Sequence, residues 1–142
     1  MTDRPIDHAG VEVLAYPECL ELLGAHRIGR IGFLDGGEVQ ILPVRYLWHE
    51  GKVAFRSAVG AKLDAALRQA AVAFEVDGWD EQSRSGWSVM VHGTAQEVKE
   101  LDRERALEGF GLEIWAQGSL PVQWIEILPL EITGRRIPPV VP

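Results

Sequence analysis

Apolar and polar residues alternate along most of this chain, and the alternation predicts short β-strands. It is clearest where Val72, Phe74 and Val76 are separated by alanine and glutamate residues, because the side chains of a strand point to opposite faces in turn. The pair Gly36–Gly37 and the stretch His49–Gly51 predict tight turns and therefore antiparallel neighbours. The pattern predicts about six strands, at 27–35, 38–48, 52–57, 72–77, 87–98 and 122–128, with a short last one at 131–137.

Three stretches have helical spacing instead. Apolar residues at i, i+3, i+4 and i+7 form one face of a helix, and this spacing is met by Leu63, Ala66, Leu67 and Ala70. The other two predicted helices are a short one at 17–26 and a polar one at 99–109, and the predicted loops are 78–86 and 111–121. The resulting fold class is mainly β, of the α+β kind, with an antiparallel sheet.

The chain length suits a single domain. A chain of 142 residues is long enough to bury a core of its own. We expect a flexible arm at residues 1–10, a domain at 11–137 and a frayed proline-rich tail at 138–142.

Charge and apolar content exclude several classes of partner. The net charge of −7 disfavours nucleic acid and anionic membranes, because affinity for nucleic acid depends on neutralising phosphates. No apolar run approaches the roughly 20 residues of a membrane helix, and the polar N-terminus carries no secretory signal region. We therefore expect a cytoplasmic protein. The single cysteine, Cys19, allows no internal disulfide and is expected to pack in the core.

No catalytic constellation stands out. The four histidines lack metal-ligand spacing, and neither a nucleophile elbow nor a P-loop nor a Rossmann glycine fingerprint is present. We predict no catalytic side chain and no metal site.

The stretch from Phe55 to Leu63 has the form of a phosphate site. A strand ends at Arg56 and Ser57, a short loop follows, and a helix begins near Lys62. Unpaired N–H groups at a helix N-terminus attract anions. A lysine in the first helical turn is unfavourable for the helix alone, and a bound anion relieves this conflict.

The motifs together resemble the pyridoxamine-phosphate-oxidase-like family of FMN-binding split barrels. The resemblance covers roughly residues 12 to 136 and rests on motifs in the same order: ILPVRY at 41–46, VAFRS at 53–57, GAKL at 60–63, FEVD at 74–77 and GWSVMVHG at 86–93. It implies a split β-barrel that forms a homodimer, with two cofactor sites at the interface. The C-terminal end does not reproduce the substrate-binding motif of true pyridoxamine-phosphate oxidases, so vitamin B6 oxidation is not implied.

The resemblance also implies roles for particular residues. Arg56, Ser57 and Lys62 would hold the FMN phosphate. The isoalloxazine ring would lie beside Pro43, Val44, Arg45 and Tyr46, with Trp87 and Ser88 approaching from a neighbouring strand. Core packing is the alternative role for Tyr46, and interface packing is the alternative for Trp87. Arg45 stands where many relatives carry a smaller polar residue; it would stabilise a reduced anionic flavin or occupy part of the site.

The leading interpretation is an FMN-dependent oxidoreductase acting on an unknown small molecule, with the chemistry supplied by the cofactor. A close alternative uses the deazaflavin coenzyme F-420, for whose acidic tail Arg45 and Arg84 are candidate ligands. Another is a non-enzymatic flavin or haem protein, with His49 or His92 as the haem ligand. A domain with an empty pocket also stays open, because fold does not determine function.

Overall fold

Seven strands and two helices make up the described part of the chain. The computed structural model describes residues 4–58, 70–112 and 122–140. The helices are α1 (Tyr16–Ala25) and α2 (Leu101–Glu108). The strands are β1 (Glu12–Val13), β2 (Ile28–Asp35), β3 (Glu38–His49), β4 (Lys52–Ala58), β5 (Ala71–Asp80), β6 (Ser85–Glu97) and β7 (Val122–Ile137). The predicted helix at 63–70 lies outside the described residues except for Ala70.

The sheet closes into a barrel through its last strand. The hydrogen-bonded order is β1-β7-β4-β3-β2-β5-β6, and β7 pairs with β6 as well. The first half of β7 lies against β4, with Ile127 opposite Val53, while β6 lies against β7 from Ile125 to Ile137, with Ile132 opposite Val91. All of these pairs are antiparallel, so the predicted antiparallel split barrel is confirmed. Closure leaves fewer unpaired strand edges.

The prediction of two C-terminal strands was wrong, since residues 122–137 form one long strand. The interruption read from the sequence is a bulge: His92 lies opposite Glu131 whereas Gly93 lies opposite Pro129, so Leu130 is an extra residue. Proline is tolerated at a bulge because it has no N–H to donate. Gly93 is needed there, because a Cβ atom would collide with the Leu128 carbonyl oxygen.

The prediction of a loop at 78–86 was also wrong, because β5 and β6 extend into this stretch and leave only a turn at 81–84. Gly78 lies opposite Trp87, and Trp79 lies opposite Gly86. Each indole lies over the facing glycine: a Cβ on Gly78 would come within 2.5 Å of Trp87 Nε1, and one on Gly86 within 2.6 Å of Trp79 Cε3. The glycines that suggested a loop are therefore cross-strand partners of large rings.

Two apolar clusters hold the fold together. The barrel interior includes the buried side chains of Tyr46, Phe55, Phe74 and Val91, together with Leu23 of α1. Cys19 of α1 belongs to the same cluster, which confirms its predicted packing role, and burial raises the pKa of its thiol. A second cluster lies between the outside of the barrel and α2, and it comprises Leu47, Ala54, Val98, Leu107 and Trp124.

Residues near each end of the described chain make contacts with the barrel. Asp7 forms an ion pair with Arg135 at 2.9 Å, and the Val140 N–H donates to the Ser83 carbonyl oxygen at 3.1 Å. The flexibility expected of residues 1–10 and 138–142 stays a prediction. Within the described ranges, no helix is long and apolar enough to cross a membrane.

Candidate functional site

The predicted site residues fall into two groups on the barrel. Pro43, Val44, Arg45 and Tyr46 lie on β3, next to Arg56 and Ser57 on β4, whereas Trp87 and Ser88 lie on β6. In the sheet, β2 and β5 separate β3 from β6. Three strand spacings amount to roughly 14 Å. On the other side of the barrel only β7 lies between β4 and β6, but Arg56 is opposite Trp124 and Trp87 is opposite Arg136, twelve residues further along β7, so one copy of the chain does not bring the two groups together. Lys62 lies outside the described residues.

Side chains on β3 alternate between the two faces of the strand. Val44 packs against the barrel core, whereas Pro43 is exposed on the other face. The Tyr46 side chain is fully buried, and its hydroxyl donates to the Leu23 carbonyl oxygen at 2.7 Å. Its ring meets Phe74 edge-on, with 4.8 Å between centroids, and burial raises the pKa of the hydroxyl. The Tyr46 side chain thus has the alternative role of core packing, and its backbone N–H donates to the Arg27 carbonyl oxygen at 2.8 Å.

Among residues 4–58, 70–112 and 122–140, part of β3 has a hydrogen-bonded neighbour on one side only. Among the described residues, β4 pairs with β3 from Tyr46 onwards, while β2 pairs with β3 along residues 38–45. Pro43 lies in this one-sided stretch, as expected of a residue without an N–H group. The edge offers backbone groups on which the polar rim of a planar ligand can be held.

Arg56 is a partly buried cation with spare hydrogen-bonding capacity. Its guanidinium carbon lies 5.6 Å from the centroid of the Trp124 ring, across the β4–β7 ladder. Its Nη2 atom is 3.7 Å from Glu108 Oε1, too far for a strong ion pair. The Nε–H group is buried and has no partner in the part of the chain that the structure describes. Ser57 follows in the same strand, opposite Gln123. An oxyanion would satisfy the unpaired donor.

The β6 residues border an apolar cavity of about 410 Å³ near one end of the barrel. Trp87 packs against the His26 ring, with 4.7 Å between the centroids, and Ser88 lies between Asp77 and Arg135 in the register. The cavity lining consists of Val11, Asp77, Gly78, Trp79, Gly86, Trp87, Ser88, Arg135 and Ile137. Trp79 and Arg135 are missing from the predicted set, because only the strand pairing shows that they adjoin Trp87.

A larger cavity, of about 620 Å³, lies beside α2 and contains charged groups that satisfy one another. Glu126 accepts hydrogen bonds from Arg103 Nε at 2.6 Å and from Gln96 at 2.9 Å. Burial raises the pKa of Glu126, but these hydrogen bonds outweigh burial and hold the pKa below its usual value. Arg103 also contacts His49 and Glu50. Because these donors and acceptors are already paired, we assign the cluster a structural role.

The outer face of β3, β2, β5 and β6, here called the open face, carries exposed apolar side chains. They include Ile28, Leu34, Val39, Ile41 and Met90. At its centre Arg30 contacts Glu75 at 3.2 Å and Asp77 at 3.4 Å. Burial, followed by the Asp77 carboxylate, raises the pKa of Glu75 to about 7 despite Arg30. Neither described helix belongs to this face. Within residues 4–58, 70–112 and 122–140, no group of three histidine, cysteine or acidic residues could hold a metal ion.

Comparisons with known proteins agree with the architecture. The family model described as pyridoxamine 5'-phosphate oxidase matches residues 16–136. Uncharacterized protein Rv0080 of Mycobacterium tuberculosis is 33% identical over 125 residues, which cover 84% of this chain and 81% of that protein. The FAD binding protein from Mycobacterium smegmatis is 32% identical with a TM-score of 0.77, covering 89% of this chain and 98% of that one. A FAD-binding protein from Mesorhizobium loti is 25% identical with a TM-score of 0.73, covering 89% and 98%.

Proposed function

Because the chain belongs to the pyridoxamine 5'-phosphate oxidase family, we propose that it is a flavin-dependent oxidoreductase holding FMN by its phosphate. The family membership confirms the resemblance read from the motifs. The observation that carries the cofactor proposal is that the buried Nε–H group of Arg56 has no hydrogen-bond partner among the described residues. A phosphate group has three strong acceptor oxygens and a charge near −2, so it matches a guanidinium with a spare donor.

The neighbouring residues support the same placement of the phosphate. Ser57 follows Arg56 directly, and Lys62 closes the motif in the sequence. By the family resemblance these three residues hold the phosphate together, so the proposal rests on the described environment of Arg56 and on the sequence for Lys62.

We place the flavin ring along the one-sided stretch of β3, next to Pro43 and Arg45. Arg45 is half-buried and alternates with Val44, which packs inward. A cation at this position would stabilise the negative charge of a reduced flavin. A bound flavin supplies the electron or hydride transfer, while the chain binds and orients the ring.

We propose further that two copies of the chain complete each site. The open face exposes apolar side chains such as Val39 and Ile41, at 73% and 66% of their full exposure. Contiguous exposed apolar surface marks interaction sites, and two-fold dimers are the commonest oligomers. A homodimer would cover this face and would let Trp87 and Ser88 of one copy approach a flavin held by the other.

FAD is the second candidate cofactor. It is favoured by the similarity to two proteins named as FAD-binding, at 32% and 25% identity. FMN and FAD share the ring and the ribityl phosphate, so the Arg56 proposal applies to both.

Paired titrations test the phosphate proposal. FMN, FAD and riboflavin are titrated into the cofactor-stripped wild type and the Arg56→Met and Lys62→Ala variants, following flavin fluorescence. Losing one charge-assisted hydrogen bond of about 1.5–3 kcal/mol should weaken FMN roughly tenfold to a hundredfold. Riboflavin lacks the phosphate and should barely change. Arg105→Met, at an exposed arginine of α2, serves as the charge control. An equal loss of affinity for FMN and riboflavin in the variants would refute the phosphate anchor. So would a wild type that binds FMN no more tightly than riboflavin.

A further inference from the structure

We propose that Glu108 is an internal competitor for the anion site at Arg56, and that the flavin phosphate must displace its carboxylate. This inference rests on the proposed function, because it concerns the same arginine. It makes Glu108 a determinant of how tightly the site binds phosphorylated flavins, a role outside the motif residues.

The carboxylate of Glu108 lies at the C-terminal end of α2, where a negative charge is unfavourable. Glu108 is the last residue of α2, and the buried side chain of Leu107 anchors this end of the helix in the second apolar cluster. Free carbonyl groups at a helix C-terminus give that end a partial negative charge, which disfavours an acidic side chain. Two contacts offset this cost: the Trp124 Nε1–H donates to Glu108 Oε1 at 2.9 Å, and Arg56 Nη2 lies 3.7 Å from the same oxygen.

Arg56 does not depend on Glu108 for its position. Its guanidinium group is packed over the Trp124 ring, and three quarters of its side chain is buried. The Glu108 side chain is 45% exposed, so it can move into solvent with little loss of packing. The long distance between the two charged groups indicates a weak ion pair. Glu108 therefore acts as a substitute anion rather than as a group that positions the arginine.

A phosphate bound to Arg56 would meet this carboxylate at close range. Two negative charges a few ångströms apart repel each other, most strongly where water is partly excluded. Release of Glu108 removes the repulsion, and it also leaves the Trp124 Nε1–H without its acceptor. That N–H group then becomes a second donor for a phosphate oxygen. The same movement therefore makes both the Arg56 guanidinium and a neutral donor available to the phosphate.

Glu108→Gln is the decisive variant, because glutamine keeps an oxygen for Trp124 and removes only the charge. FMN and riboflavin are titrated into cofactor-stripped wild type and variant at low and high salt. Because exposed ion pairs contribute up to about 1 kcal/mol, we expect FMN to bind about fivefold more tightly to the variant and riboflavin to bind equally. The gain should shrink at high salt, where exposed charges are screened. Glu81→Gln, in the exposed turn between β5 and β6, controls for net charge and should change neither affinity.

The other outcomes refute the inference in distinguishable ways. Weaker FMN binding in Glu108→Gln would show that the carboxylate positions Arg56 instead of competing with the ligand. Unchanged FMN binding, or an equal gain in Glu81→Gln, would show that Glu108 has no specific effect on the site. A wild type that binds FMN no better than riboflavin would refute the proposed function, and this inference with it. The Glu108→Gln variant should fold, because the side chain is exposed and the substitution removes a negative charge that is unfavourable at the C-terminal end of a helix.

Discussion

Replacing Arg103 by methionine should strongly destabilise the barrel, because it leaves the buried carboxylate of Glu126 without its main partner. Arg103 Nε lies 2.6 Å from Glu126 Oε2, and the two side chains are only 9% and 5% exposed. Removing one member of a buried ion pair costs about 3–5 kcal/mol, since the other charge stays buried and uncompensated. Gln96 at 2.9 Å and Lys52 at 3.9 Å remain close to the carboxylate, so we expect about 3 kcal/mol.

The pH dependence separates this charge effect from lost packing. In the wild type, hydrogen bonds from Arg103 and Gln96 outweigh the effect of burial and lower the pKa of Glu126. A carboxyl with a lowered pKa stabilises the fold above its unfolded-state pKa, and this contribution is lost as the pH falls through the folded-state pKa. Without Arg103, burial should dominate and raise the pKa, so protonation would relieve the cost. The difference in the free energy of unfolding between wild type and variant should therefore be smaller at about pH 5 than at about pH 7.

Urea unfolding followed by circular dichroism at both pH values measures this deficit. Arg105→Met, on the same helix but exposed, is the matched control and should change stability by less than about 0.5 kcal/mol. The double variant Arg103→Met/Glu126→Gln should recover part of the loss, because a neutral amide needs no counter-ion. An equal deficit at both pH values, or a loss below about 1 kcal/mol as for a surface pair, would refute the reasoning.

Two further predictions concern the core and the open face. Tyr46→Phe removes the hydrogen bond to the Leu23 carbonyl at 2.7 Å and should cost about 1–3 kcal/mol in urea unfolding; a smaller loss would mean that water replaces the hydroxyl. Ile41→Asp puts a charge on the open face, and sedimentation at micromolar concentration should show a monomer where the wild type is a dimer. Leu130→Asp, at a residue that is 79% exposed on β7, is the control and should stay dimeric. A monomeric wild type would contradict the homodimer.

The strands between Ile28 and Glu97 could be predicted because their signals are local. The alternation of Val72, Phe74 and Val76 gives the two faces of β5 without knowledge of its neighbours, and burial of all three confirms the inward face. Motif order was enough to identify the family. The extensions of β5 and β6 were missed because their glycines look like loop residues until the facing Trp79 and Trp87 are known.

Sequence alone therefore determined most of the elements, the antiparallel pairing of neighbouring strands along the chain and the family, because alternation and tight turns depend on neighbouring residues. Only the tertiary structure decided the roles of particular side chains. The sequence offers Tyr46 as a ligand residue, yet the closed barrel buries it against α1. Nothing local links Arg56 to Trp124 and Glu108, which come together because β7 pairs with β4 and α2 packs on the outside of the barrel. Such contacts join residues far apart in the chain, so their energies depend on how the sheet closes rather than on any local pattern.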